Sequence, residues 1–152
     1  MFCARSSTWH QPRRPPPVRS AADALELIAL SMSRPPRPET IALIVDVGGF
    51  GTAVLIVAGT DDADDVLHVV ERVTDAAETA GAASIVVATV RPAPVPADEQ
   101  FALADDDIDR WLEASDIAAD HDIELLEWYV VGPSGIVCPR ETFGEPPRWP
   151  AG

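Results

Sequence analysis

Apolar positions recur along the chain with two different periods, and the changes of period mark its elements. Leu25, Ile28 and Met32 are spaced along one helix face, and Ser20 ahead of them carries a hydroxyl suited to capping a first turn, predicting a helix over about 21–33. The run Arg34-Pro35-Pro36-Arg37-Pro38 ends it, because proline lacks the N–H that would continue the ladder. Thr40–Val45 and Ala53–Val57 are apolar runs joined by Gly48-Gly49-Phe50-Gly51, the signature of an antiparallel hairpin. Val66, Val69, Val70, Val73, Ala76, Ala77 and Ala80 then return to helical spacing, with acids at the start and Gly81 as the stop. Ser84–Val90 is apolar almost throughout and reads as a central strand covered on both faces. A third helix is predicted over about 105–120, with Ile108, Trp111, Leu112, Ser115, Ala118 and Ala119 as its buried stripe. Ile123–Val131 and the short Ile136–Cys138 close the series as strands about a Gly132-Pro133-Ser134-Gly135 turn.

The resulting order, α-β-β-α-β-α-β-β, predicts an α/β sandwich of two or three layers with a mixed sheet. One domain is expected over 20–141, between a disordered Pro/Arg leader at 1–19 and a C-terminal tail at 142–152 that wraps the surface. No internal repeat is visible. No apolar run reaches the length of a membrane span, and the first twenty residues lack the apolar centre of a secretory signal, so a cytoplasmic protein away from membranes is expected.

Charge narrows the partners. The net charge is −14, and four of the 11 basic residues (Arg5, Arg13, Arg14, Arg19) lie in the leader, leaving seven against 25 acids. Such a body repels a phosphate backbone, which argues against nucleic acid as a partner. Cys3 and Cys138 stand at opposite ends, with neither zinc-site spacing nor the setting of a structural disulfide.

The closing string DIELLEWYVVGPSGIVCPRE, with Leu125, Leu126, Glu127, Val130, Val131, Gly132, Gly135 and Val137, resembles the closing strand pair of the RadC-like branch of the JAB/MPN domains. Gly59-Thr60 is similar to the Gly-Thr that ends that family's second strand, and the likeness runs over about 20–141. It implies a JAB/MPN-like fold and, in the family, a metal centre built from a His-x-His-Pro string leaving the central strand, with a Ser and an Asp beyond it. Here the matching string is Thr89-Val90-Arg91-Pro92, with Asp105 or Asp107 at the place of the Asp, and Trp128 and Cys138 stand where the family has His and Ser. The resemblance therefore implies a vestigial site at Thr89, Arg91, Pro92 and Asp107, without catalytic or metal-binding residues and without a cofactor. Zinc needs imidazole, thiolate or carboxylate donors converging on one point, and an arginine there repels it. The cytidine-deaminase-like fold shares much of the element order, but its His-x-Glu and Pro-Cys-x-x-Cys strings are absent.

The remaining candidates carry little chemistry. His10, His68 and His121 fall in separate places and read as solvated. The acidic runs Asp61–Asp65 and Asp105–Asp109 suit helix starts and lack calcium-loop spacing. Gly48–Gly51 joins two strands rather than opening a helix, so it is no phosphate loop. The late aromatics and arginines are more suggestive, because such residues anchor interfaces: Trp128, Tyr129, Arg140, Phe143, Arg148 and Trp149. They serve either as packing for the tail or as a contact with a protein partner, a second copy in a homodimer included. The expected function is a metal-free binding or scaffolding module, a pseudoenzyme. The alternative is a hydrolase with an atypical site at Thr89, Arg91 and Asp105–Asp109.

Overall fold

The computed structural model describes residues 7–10, 15–60, 62–92, 106–133 and 135–149. In chain order these form β1 (Ser7–His10), α1 (Ala21–Ser31), β2 (Glu39–Val45), β3 (Gly51–Ala58), α2 (Ala63–Thr79), β4 (Ser84–Val90), α3 (Asp107–Asp120), β5 (Glu124–Gly132), β6 (Gly135–Val137) and α4 (Pro139–Phe143). The predicted series is present from α1 to β6. The expectations for Asp105 and for the 93–96 stretch lie outside the described residues.

The six strands form one mixed sheet in the order β1-β3-β2-β4-β5-β6. The β2–β3 hairpin is antiparallel, as its glycine turn predicts, and β2 also runs antiparallel to β4. Of these strand pairs only β4 and β5 are parallel, joined through α3, and β6 folds back antiparallel on β5. All seven residues of β4 are buried, in keeping with a strand covered on both sides.

Alternation along the strands sends two sets of side chains to opposite faces. Ile44, Leu55, Ile85, Val87, Leu125, Trp128 and Val130 meet Val66, Val69 and Val73 of α2 and Trp111, Ala114 and Ala118 of α3. Ile41, Leu43, Val45, Val86, Ala88, Leu126 and Tyr129 face the other way, toward Ala24 and Ile28 of α1. The result is a helix–sheet–helix sandwich. A shift in the β4–β5 register between Ile85 and Val86 makes Leu126 the extra residue, so Leu125 and Trp128 both point toward α2 and α3. Trp111 and Trp128 are fully enclosed, and at about 25 cal/mol per Å² one such ring contributes roughly 4–6 kcal/mol before entropy.

Local chemistry explains the helix ends. The Ser20 hydroxyl accepts from the Asp23 N–H, and the Asp62 carboxylate accepts from the Asp64 N–H. Gly81, with φ of +72°, takes the left-handed turn that ends α2.

Three expectations are corrected. First, the leader is not disordered throughout: Ser7–His10 pairs antiparallel with Val54–Val57. Its following residues are tied down as well, since Val18 is buried, its N–H donates to the Gly49 carbonyl, and the Gly51 N–H donates to the Pro16 carbonyl. A strand of four residues with no apolar period is legible only once β3 offers it an edge. Second, the buried stripe of α3 is Asp107, Trp111, Ala114 and Ala118, with Leu112 and Ala119 turned outward. The helix is rotated by about one position because Asp107 has a buried partner. Third, Cys138 ends no strand but precedes α4, a helical turn where the sequence pattern predicts the end of a strand and a tail.

Candidate functional site

Thr89, Arg91, Pro92 and Asp107, the residues that the resemblance singles out, come from the C-terminal end of β4 and the start of α3, and the fold brings the two sources together. Thr89 and Arg91 lie two apart on β4 and its continuation, hence on one face, the face covered by α3. Arg91 reaches Asp107 in a two-pronged ion pair, with Nη1 to Oδ2 at 2.6 Å and Nη2 to Oδ1 at 2.9 Å. Both ends are buried, Arg91 at 7% exposure and Asp107 at 0%. Pro92, the last described residue of this strand end, is half-buried.

Thr89 belongs to a closed chain of hydrogen bonds. The Trp128 indole N–H donates to the Thr89 hydroxyl at 2.9 Å, and the Thr40 hydroxyl donates to the Thr60 carbonyl at 2.6 Å. The Thr89 and Thr40 oxygens stand 3.4 Å apart, and because Thr40 has spent its proton on Thr60, Thr89 is the donor between them. Thr40, Thr60, Thr89 and Trp128 are all buried. A hydroxyl with its proton so committed, shut from water and with no base bonded to it among the described residues, is a structural hydroxyl.

This donor set does not fit a zinc ion. The Thr89 hydroxyl is already bonded to an indole, Arg91 brings a guanidinium, and the Asp107 carboxylate is bound by that guanidinium. Thr89, Arg91 and Asp107 therefore supply no ligand set for a metal-activated water.

A second buried polar cluster lies on the opposite face, under α4 and the tail. Arg140 Nε donates to Glu127 Oε2 at 2.8 Å, and Arg140 Nη1 donates to the Glu145 carbonyl at 2.5 Å. Burial raises the Glu127 carboxyl above its ordinary range, against the opposing pull of Arg140. Burial likewise pushes the Tyr129 hydroxyl up, and it pushes the Cys138 thiol up to about 12, with Glu127 adding to both. Glu127 Oε1, the Tyr129 hydroxyl and the Trp149 indole N–H are buried without a hydrogen-bond partner among the described residues.

The tail passes around the sheet edge to reach both faces. Arg148 stacks over the Trp111 ring at 4.8 Å, and its Nη1 donates to Ser115 Oγ and to the Leu125 carbonyl. Glu145 holds the same guanidinium, which lowers the Glu145 carboxyl below its usual range. Trp149, next along, packs against the core on the α1 side. Phe143 lies against Trp111, with ring centroids 5.6 Å apart.

Of the six interface candidates, Trp128, Tyr129 and Arg140 are thus buried within the chain, and Arg148 and Trp149 are half-buried in it. Phe143 alone of the six remains open, at 54% exposure. Trp128 and Tyr129 point to opposite faces, Trp128 into the core under α2 and α3 and Tyr129 into the cluster against which Trp149 packs.

Sequence reasoning missed Glu127 and the Thr40–Thr60 end of the hydroxyl chain. The signal for Glu127 was an acid inside an otherwise apolar strand, with Arg140 soon after it. No family model matches this chain, and no curated protein matches it.

Proposed function

We propose that the chain is a RadC/JAB-like domain without the family's metal centre, acting as a binding or scaffolding module. The observation that carries this reading is the Arg91–Asp107 pair: a guanidinium neutralises the carboxylate at the strand end where the family resemblance calls for a metal. The closed hydroxyl chain through Thr89 supports it from the other side. The hydrolase alternative needs Thr89 or Asp107 to reach a substrate, and both have 0% exposure.

A contact with a second copy or a protein partner has Phe143 as its available aromatic anchor, packed on Trp111 of helix α3 and 54% exposed. Two measurements test the reading on the full chain. Sedimentation of wild type and Phe143→Ser is expected to show a concentration-dependent mass in the first and a monomer in the second. A wild type that stays monomeric at every concentration removes the homodimer. Amide or ester hydrolysis by chelator-treated protein, lost in Thr89→Val, overturns the module reading altogether.

A further inference from the structure

The C-terminal ends of α2 and α3 bring Asp75, Glu78 and His121 together, at the far end of α3 from Asp107. The 14 residues of α3 place the two ends about 20 Å apart. Asp75 and Glu78 are three apart on α2 and share a face. His121 caps α3, its backbone N–H donating to the Ala118 and Ala119 carbonyls, so its position is fixed by the helix end. One ligand atom from each of the three side chains lies within 4.8 Å of the others.

One pair already has coordination spacing. His121 Nδ1 stands 3.3 Å from Glu78 Oε1. Two donors bound at roughly 2.0–2.1 Å to a tetrahedral zinc are separated by about 3.3 Å. Asp75 is exposed, so its carboxylate can rotate inward. Both helices lack a basic residue in the last turn, so their carbonyl ends leave a negative potential that favours a cation.

We propose that Asp75, Glu78 and His121 form a binding site for a zinc-class divalent cation that clips α2 to α3, with a fourth position open to water. An imidazole with two carboxylates suits zinc and its neighbours, whereas magnesium prefers an all-oxygen octahedron. Glu78 and His121 are 43 residues apart in sequence, so the fold assembles the site and the ion binds the folded chain. Binding therefore raises the unfolding midpoint. The proposal is independent of the metal-free strand end, because it uses none of the same residues.

Full-length protein freed of metal by dialysis against a chelator is titrated with zinc chloride by calorimetry and melted with and without zinc. One saturable equivalent with a micromolar dissociation constant and a rise in midpoint are expected, and magnesium chloride should produce neither. Glu78→Gln and His121→Asn should each weaken zinc binding at least about tenfold while keeping the far-UV spectrum, and His68→Asn, an exposed histidine elsewhere on α2, should leave it unchanged. Absence of saturable binding below about 1 mM zinc overturns the proposal, since a three-ligand site is expected to bind more tightly. So does binding that survives both variants, in which case Glu78 and His121 form a plain hydrogen bond. Binding lost in Asp107→Asn but kept in His121→Asn overturns it too, and places the ion at the strand end instead.

Discussion

Replacing Arg91 with alanine should destabilise the fold more than most other single changes on its surface or in its core. The substitution removes two short charge-assisted hydrogen bonds and leaves the Asp107 carboxylate, at 0% exposure, without its guanidinium. Breaking a buried pair from one side typically costs about 3–5 kcal/mol, because the remaining charge must stay desolvated or take up a proton. Against a total stability of roughly 5–15 kcal/mol that is about a fifth or more. For a chain of this size it corresponds to a fall in melting midpoint of roughly 6–20 °C. Urea unfolding followed by far-UV circular dichroism measures it, read as a lower midpoint at unchanged slope. The paired change Arg91→Met with Asp107→Leu should recover much of the loss, since apolar side chains of similar volume need no partner there. A loss below about 1 kcal/mol in Arg91→Ala refutes the reasoning, because a pair that cheap to break is solvated rather than buried.

Four further outcomes follow from the same packing. Deleting residues 1–19 should lower stability measurably in urea, since it removes the β1–β3 pairing and Val18, whose burial alone is worth about 1.5–3 kcal/mol. Trp149→Ala should lower stability by about 2 kcal/mol without changing the sedimentation of the folded protein, because the ring packs on its own core. With its thiol raised to about 12, Cys138 in a Cys3→Ser background should resist iodoacetamide at pH 8 and react only on unfolding, and rapid labelling of the native chain would contradict its burial. Glu127 is raised by burial, so its contribution to stability is fully present below the unfolded value and is lost as pH climbs through the folded one; the stability difference between Glu127→Gln and wild type should therefore move in favour of glutamine as pH rises from 4.5, and a flat difference would contradict the raised value.

The sandwich is legible in the sequence because its longest elements have unmixed periods. The valine stripe of α2 and the unbroken apolar run of β4 each admit one reading, and both stand where the residues put them. Thr89, Arg91 and Asp107 are legible as one site only through the family resemblance, since nothing local links β4 to α3; the fold supplies the contact. The misleading element is α3: Leu112 and Ile108 make a plausible stripe, yet a buried Arg91 recruits Asp107 and turns the helix. The β5 bulge is equally hidden. A single extra residue has no periodic signature, but it decides that Glu127 faces Arg140 and that Trp128 reaches Thr89. The aromatic cluster at the end is compatible in sequence with either tail packing or an interface, and only three-dimensional proximity to Trp111 and Leu125 tells these apart.

The Arg148 contact with the Leu125 carbonyl has a consequence for how the chain behaves when it is cut. β6 covers only Val130–Gly132 of its neighbour, so among the described residues the first two-thirds of β5 has no strand on its outer side. The tail crosses that length, with the Arg148 guanidinium answering the Leu125 carbonyl and Trp149 packing on the core beyond it. A protease that cut ahead of Arg148 would leave an apolar strand border able to pair with another extended chain. The clipped protein should thus become adhesive to itself before it unfolds, forming strand-exchanged assemblies rather than a merely less stable monomer. On this view the Arg148–Trp149 segment acts as a guard against polymerisation.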